Sequence, residues 1–381
     1  MKACGVIAEY NPFHNGHAYQ LTQAREKAHA DVMVVVMSGN YVQRGEPAIV
    51  DKWQRARMAL TNGADLVIEL PFAISSQPAD RFAAGALQIL DALNCQTLAF
   101  GVEKSEFDYK TLLNEIAPKL KRPQFTVNYT KTYATQWNDF LEEKLGQRIE
   151  KPNQLLALSY AYANAQLDRP LELLPITRIG VAHDDLNSTA SYASATAIRQ
   201  LLLAGEMESV ARFVPYDLSL FSDKLLSWQD LWPYLHYALN VSWPQELTPI
   251  YQMSEGLEYR FWQQNQKSTD FDQFLQLVKS KRYTYARLRR LALYTVLQVT
   301  AADITAASTV DQPIRVLGFN SVGQAYLREL RKNNAAHLIT KVTADLGKPS
   351  GSLGLQVRVD RLIEQLTGVE QNFRQHIIMI K

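Results

Sequence analysis

Short, nearly unbroken apolar runs alternate, through the first half of the chain, with longer segments whose apolar residues recur every three or four positions. The first run is Cys4-Gly5-Val6-Ile7-Ala8, and the second is Asp31 to Met37, ending at Ser38-Gly39. Ala64 to Pro71, Thr97 to Gly101 and Leu171 to Ile179 complete the set. Each has the length of a strand and the apolar content of one buried on both faces. Helical patterns fill the gaps: a segment after His17, then Lys52 to Asn62, Pro78 to Leu93, Asp108 to Leu120, Thr132 to Leu145 and Asn153 to Asn164. Strands alternating with helices predict an α/β fold, a Rossmann-like parallel sheet covered on both sides. After about Pro215 the pattern is mostly helical to Lys381. Two domains are therefore expected, a Rossmann-like one over residues 1–214 and a mostly helical one over 215–381.

Composition narrows the class. Hydrophobic residues make up 47% and charged residues 20% of the 381, as in soluble globular proteins. No apolar run reaches the ~18 residues of a membrane span. Met1-Lys2 leads straight into the first strand, so no signal peptide is expected and a cytoplasmic location is. The two cysteines, Cys4 and Cys95, lie in apolar surroundings and are expected as reduced core residues, not as a disulfide or zinc site. A net charge of +2 neither demands nor excludes a nucleic-acid partner; the distribution of charge matters more.

In parallel sheets the ligand sits beyond the C-terminal strand ends. That rule selects His14 to His17, Ser38-Gly39-Asn40, Phe100 to Glu103 and Thr177-Arg178. Of these, His14-Asn15-Gly16-His17 carries the most chemistry. It places two imidazoles and a glycine between a first strand and a helix start. The unpaired first N–H groups of that helix suit phosphate, Gly16 would let it approach, and both imidazoles can donate to phosphate oxygens or a leaving pyrophosphate. The same two histidines would also serve as plain helix-start polar residues. Ser38 to Pro47 is long for a strand-to-helix loop, where about 2–6 residues is usual. It offers Arg44 as a phosphate or carboxylate clamp; Lys52, Arg55 and Arg57 follow, and solvated charges explain them equally well. Ser194 is a natural N-cap for a helix that carries Ile198-Arg199, a geometry that presents hydroxyls and Arg199 to the outer phosphates of a nucleotide.

In the helical half, Lys279 to Arg290 holds six basic residues and no acid: Lys279, Lys281, Arg282, Arg287, Arg289 and Arg290. Tyr283 and Tyr285 lie among them. Basic residues supply phosphate contacts and tyrosines stack on bases, so the segment reads as an RNA surface, with a solvated helix face as the alternative. Arg328, Arg331 and Lys332 extend the same reading. Gly318-Phe319-Asn320, after a short strand, is a turn expected to face the site.

The HxGH turn, paired with the small-residue helix start before Ile198-Arg199, resembles the nucleotidyltransferase branch of the HIGH-motif superfamily. More narrowly, the run Val6 to His17, then SGNYVQRGEPAIV, ADLVIELP, LAFGVE, KPNQLLALSY and ITRIG, resembles the tRNA(Met) cytidine acetate ligase family. The likeness continues through Lys281-Arg282-Tyr283-Thr284 and Arg315 to Asn320. It implies a two-step ligase. Acetate attacks the α-phosphate of ATP to give acetyl-adenylate and pyrophosphate. The acetyl group then passes to the wobble cytidine of elongator tRNA(Met), giving N4-acetylcytidine and AMP. The likeness also implies His14 and His17 as catalytic residues. It maps ATP contacts onto Ile7, Ala8, Glu9, Tyr10, Asn11, Pro12, Phe13, His14, Asn15, Gly16, His17, Ala18, Tyr19, Gln20, Gly101, Asn153 and Arg178. Mg2+ is expected with ATP, and no carboxylate cluster marks a protein-built metal site. Two other readings use the same motifs: an adenylyltransferase acting on a small phosphorylated metabolite, and an inactive tRNA-binding protein. A class I aminoacyl-tRNA synthetase fits less well, because no KMSKS-like segment is visible.

Overall fold

The apolar runs of the first half pair with one another, strand beside parallel strand. A computed structural model describes residues 1–103, 139, 142–143, 152–179, 191–221, 224–309, 313–333 and 336–381. Its sheet half consists of β1 (Ala3–Ala8), α1 (Asn15–Ala28), β2 (Val32–Ser38), β3 (Tyr41–Val42), β4 (Glu46–Pro47), α2 (Lys52–Thr61), β5 (Leu66–Leu70), α3 (Phe72–Ser75), α4 (Ala79–Ala92) and β6 (Thr97–Val102). It continues with α5 (Pro152–Asn164), β7 (Glu172–Thr177), α6 (Ala195–Leu203) and α7 (Met207–Ala211). The helices expected over 108–120 and 132–145 fall on residues that lie, almost throughout, outside the described ones. The remaining elements are α8 (Trp228–Val241), α9 (Leu257–Asn265), α10 (Phe271–Val278), α11 (Tyr285–Val296), α12 (Ala301–Thr309), β8 (Ile314–Phe319), α13 (Ser321–Lys332), β9 (Leu338–Ile339), α14 (Ala344–Gly347), α15 (Gly354–Thr367) and β10 (Ile378–Met379).

The strands run in the order β10-β8-β5-β2-β1-β6-β7, with β9 beside β8. The five strands expected from the sequence are mutually parallel, in registers such as Val6 opposite Val35 and Leu98 opposite Leu173. Their side chains alternate between two cores. One face packs Val34, Val36 and Ile68 against Phe82, Leu90, Tyr160 and Leu327. The other packs Val6, Val35 and Val67 against Leu21, Ala59 and Ile198. This is the covered parallel sheet that runs of Val, Ile and Leu without polar alternation require.

The helical pattern after Pro215 holds over α8 to α12, which gather Leu231, Leu235, Phe261, Phe274, Leu288 and Leu291 into a third core. A division at residue 215 does not divide the sheet, however. The chain returns after α12, and β8 inserts beside β5 in the antiparallel sense, with Leu66 opposite Phe319. Because β8 runs backwards, Gly318-Phe319-Asn320 arrives at the edge opposite the strand ends named above. Asn320 there donates to Asp65 Oδ1 at 2.8 Å and caps α13. The expectation that this turn faces the site is therefore corrected.

Four buried charges fasten the returning segment to the sheet. Lys52 Nζ lies 2.7 Å from Glu69 Oε1 and 2.6 Å from Asp360 Oδ2, and Arg315 Nη1 lies 3.2 Å from Glu69 Oε2. Asn40 and Gln356 supply further hydrogen bonds to Asp360, at 2.8 and 3.1 Å. Lys52 is fully buried, so it is neither a solvated charge nor a phosphate ligand. Arg55 is buried too. Its guanidinium donates to the carbonyls of Val50, Glu9, Ser38 and Gly39, holding the ends of β1 and β2 together. Burial pushes it down to about 10, which still leaves it charged.

Candidate active site

The C-terminal ends of β1, β6 and β7 open into one cleft of about 1140 Å3. Its floor comes from the sheet and its far wall from the helical half. Ile7, Ala8, Glu9, Tyr10, Asn11, His14, Gly16, His17, Tyr19 and Gln20 line it, as do Gly101, Asn153 and Arg178. Pro12, Phe13, Asn15 and Ala18 do not. Phe13 sits in the core with its carbonyl held by the Tyr216 hydroxyl at 2.7 Å. The Asn15 amide donates to the carbonyls of Ser191 and Arg212. These two position the turn rather than face the cleft.

His14 and His17 start α1 as a reciprocal cap. His14 Nδ1 accepts the Gly16 N–H at 3.0 Å, and His17 Nδ1 accepts the His14 N–H at 3.3 Å. The rings stack with centroids 3.7 Å apart. An Nδ1 that accepts carries no proton, so both neutral rings hold theirs on Nε2, free to donate to a ligand. The two rings cap the helix through Nδ1, which leaves Nε2 of each for a ligand. One expectation changes. The first N–H groups of α1 are already spent, on Phe213 O (2.9 Å), His14 Nδ1 and His14 O (2.8 Å). An anion at this turn would therefore meet side chains and not the helix N–H groups. Gly16 is small for a related reason: a Cβ would sit 2.9 Å from the His14 ring.

Burial, with the nearby Arg178 guanidinium adding to it, pulls His14 down to about 3. Burial, then His14, then Arg178, holds His17 well below the usual histidine range. Both rings are neutral at pH 7. In the unfolded chain they take up protons near 6.5. The unfolded state therefore binds more protons between about pH 3 and 6.5. Folding stability should fall as pH drops below 6.5, by at most about 1.4 kcal/mol per unit for each ring. We expect the melting temperature of the protein without nucleotide to drop from pH 7 to 5. His14→Asn keeps a capping oxygen but does not titrate, and should drop less. An equally steep fall in that variant would trace the effect to other groups.

Arg178 directly follows β7. The arginine stem folds back over Gly101, which pairs with Ile176, and a Cβ there would press 3.3 Å from Arg178 Cγ, so the glycine makes room for it. Asn153 is not a cap; it donates to Glu103 Oε1 at 2.6 Å. The start of α6 also opens on the cleft at Ser194, Ala195 and Thr196, with Ser194 Oγ accepting the Ala197 N–H at 3.1 Å. Arg199 lines the cleft as well, but its guanidinium is engaged. It donates to Asn11 O at 2.8 Å and approaches Glu46 at 3.8 Å, so it buttresses the motif turn rather than presenting a free cation.

The basic segment of the helical half divides. Arg282, Arg287, Arg289 and Arg290 line the cleft; Lys279 and Lys281 do not. The hairpin β3–β4 brings α11 in. Gly45 has φ +77°, and a Cβ there would overlap the backbone of Arg289 and Arg290. Arg290 is buried and donates to Gln43 O at 3.2 Å. Arg289 pairs with Glu46 at 3.0 Å, so the counter-charge missing from the local sequence comes from the hairpin. Tyr283 is buried, bonded to Glu255 at 2.9 Å and covered by Arg287 at 4.6 Å, so it is not available to stack on a base. Tyr285 is exposed. Sequence reasoning missed Glu46 and left Glu103 without a role, although the strand-end rule reached Glu103.

Among the described residues no group of three or more His, Cys, Asp and Glu is arranged to hold a metal ion, and no helix is long and apolar enough to cross a membrane. Cys4 and Cys95 are both buried and unpaired; burial pushes the Cys4 thiol up to about 12, so it stays protonated at pH 7.

Residues 1–376 match the family model described as HIGH Nucleotidyl Transferase. The tRNA(Met) cytidine acetate ligase of Latilactobacillus sakei is 50% identical, over 99% of this chain and 97% of its own. The chain belongs to the tRNA(Met) cytidine acetate ligase family. The Lactobacillus gasseri ligase of that name is 46% identical over the full length of both. Among solved structures, Thermotoga maritima TmcAL in the apo form superposes with a TM-score of 0.84 at 29% identity, covering both chains completely. The same protein bound to alpha-thio ATP gives 0.81 at 29%, covering 100% of this chain and 99% of that one. Membership in this family makes the chain a ligase with the nucleotidyltransferase sheet.

Proposed function

We propose that this chain activates acetate with ATP and transfers the acetyl group to the wobble cytidine of elongator tRNA(Met), making N4-acetylcytidine. One observation supports it above the others: imidazole donors of the sheet and arginines of the helical half line a single cleft. A bare adenylyltransferase needs only the first. A ligase that hands an acyl-adenylate to RNA needs both around one chamber. The names of the relatives and the ATP analogue carried by the Thermotoga maritima neighbour agree with this reading.

In the first step an acetate oxygen attacks the α-phosphorus and the bond to pyrophosphate breaks. Charge builds on the phosphate oxygens, and the Nε2–H groups of His14 and His17 with Arg178 are placed to neutralise it. No protein nucleophile is needed; positioning supplies the rate. In the second step the cytidine amine attacks the acetyl carbon, AMP departs with the bonding electrons, and the amine loses a proton. Mg2+, expected with ATP, would be brought by the nucleotide and would help neutralise its phosphates, since no carboxylate cluster among the described residues would hold it.

Acetate-dependent ATP–pyrophosphate exchange without tRNA tests the first step. Mass spectrometry of nucleosides from tRNA incubated with the protein, acetate and ATP tests the second. Exchange that ignores acetate, or tRNA that gains no N4-acetylcytidine, would overturn the reading. The divided basic segment gives a sharper expectation. Lys279→Ala with Lys281→Ala, both outside the cleft lining, should weaken tRNA binding and flatten its salt dependence, by about one unit of slope for each phosphate no longer neutralised, while exchange persists. Arg289→Ala, at the cleft wall, should lower both activities. Unchanged tRNA affinity across a salt series in the double variant would make those charges a solvated surface.

A further inference from the structure

We infer that Glu103 is the acceptor for the ribose hydroxyls of the bound nucleotide, and that Asn153 acts through Glu103 as a positioning residue. This rests on the ATP reading above and deepens it.

Glu103 follows β6 directly and lines the cleft with Gly101, Asn153 and Arg178. Its two carboxyl oxygens differ. Oε1 accepts the Asn153 amide at 2.6 Å. Oε2 is buried and has no hydrogen-bond partner among the described residues. A buried acceptor without a partner costs free energy, and a site that keeps one keeps it for a ligand that donates. The carboxylate is acceptor-only, so what completes it cannot be another acceptor. Phosphate oxygens are excluded, since they also only accept and carry the same sign of charge. ATP offers donors in two places, the ribose hydroxyls and the adenine amine.

Position selects between them. Glu103 stands two residues beyond Gly101, so its side chain leaves the strand on the side from which a Gly101 Cβ would meet Arg178. The register that sets Val102 opposite Thr177 continues to Glu103 beside Arg178, so the two side chains leave neighbouring strand ends. The ribose is bonded to the α-phosphate, whereas the adenine amine is at the far end of the nucleotide. A carboxylate beside the phosphate-binding arginine therefore meets sugar. Acidic side chains near strand ends of dinucleotide-binding sheets take ribose hydroxyls in the same way. The Asn153 amide fixes one oxygen and leaves the other directed to the ligand, which explains why an asparagine at a helix start here is not its cap.

The test is calorimetric titration of the full chain with ATP, 2′-deoxy-ATP, 3′-deoxy-ATP and GTP. Wild-type protein should bind at least one deoxy analogue about ten- to hundredfold more weakly than ATP, the scale of one hydrogen bond to a charged group. Glu103→Ala should lose that discrimination and bind ATP about as weakly as the analogue. Glu103→Gln keeps the shape and an acceptor oxygen, and should fall between. Asn153→Ala should reduce the discrimination while Glu103 is intact. The inference is overturned if deoxy discrimination survives in both Glu103 variants. It is also overturned if those variants lose selection of ATP over GTP instead, for then the carboxylate faces the base. Failure of the wild-type chain to bind ATP would overturn the nucleotide reading itself, and that appears before any variant is made.

Discussion

His17→Ala lowers acetate-dependent ATP–pyrophosphate exchange by about two to three orders of magnitude, the scale of one lost donor to developing charge. Affinity for tRNA changes little, because His17 lies on the sheet side of the cleft. The ring has two jobs, and two further substitutions separate them. His17→Asn keeps an acceptor at the position of Nδ1, which holds the His14 N–H, but has no donor at Nε2. It should be as slow as the alanine variant while melting near the wild type. His17→Gln places a donor near the Nε2 position and loses the cap. It should recover part of the rate and lose about 1 kcal/mol of stability. If the asparagine variant exchanges at the normal rate, Nε2 takes no part and the motif is only a helix cap.

Lys52→Met destabilises the protein by about 3–5 kcal/mol, the usual consequence of removing one partner from a buried ion pair. Glu69 and Asp360 are left as buried carboxylates, with Arg315 shared by Glu69 alone. Denaturant unfolding measures the loss. Adding Asp360→Asn removes one of the stranded charges and should restore part of it, a coupling that a pair of independent defects would not show. A loss below about 1 kcal/mol, as for an exposed pair, would mean that water reaches these charges and that the network does not hold the C-terminal segment on the sheet.

Much of the architecture is local. A run such as Val32 to Met37 has no polar position, so it can only be a strand covered twice, and the helices between such runs leave parallel pairing as the outcome. The strand-end rule reached His14, His17, Gly101, Glu103 and Arg178, which line one cleft, and also Ser38-Gly39-Asn40, which does not: Asn40 is buried and donates to Asp360. The direction of β8 was not legible. A six-residue strand after a stretch of helices carries no mark of which strand it joins, and its antiparallel insertion moved Asn320 to the wrong edge for chemistry.

The fate of charges was the least legible property. Lys52, Arg55, Arg57 and Arg44 look alike in sequence, yet Lys52 and Arg55 are buried structural groups and Arg44 lines the cleft. What decides this is the company each keeps. Lys52 meets Asp360 from 308 positions away, and Arg289 meets Glu46 across the hairpin. Hydrophobic period and strand-end position are properties of short segments, so the five parallel strands, the turn that bears the two imidazoles and the cation-rich helix could be read from the chain. Only the tertiary structure decided which nitrogen of each imidazole is free, which arginines enter the cleft and which carboxyl oxygen is left without a partner. Those follow from the packing of distant segments on one another, and a charge or a donor has no role until the group opposite it is in place.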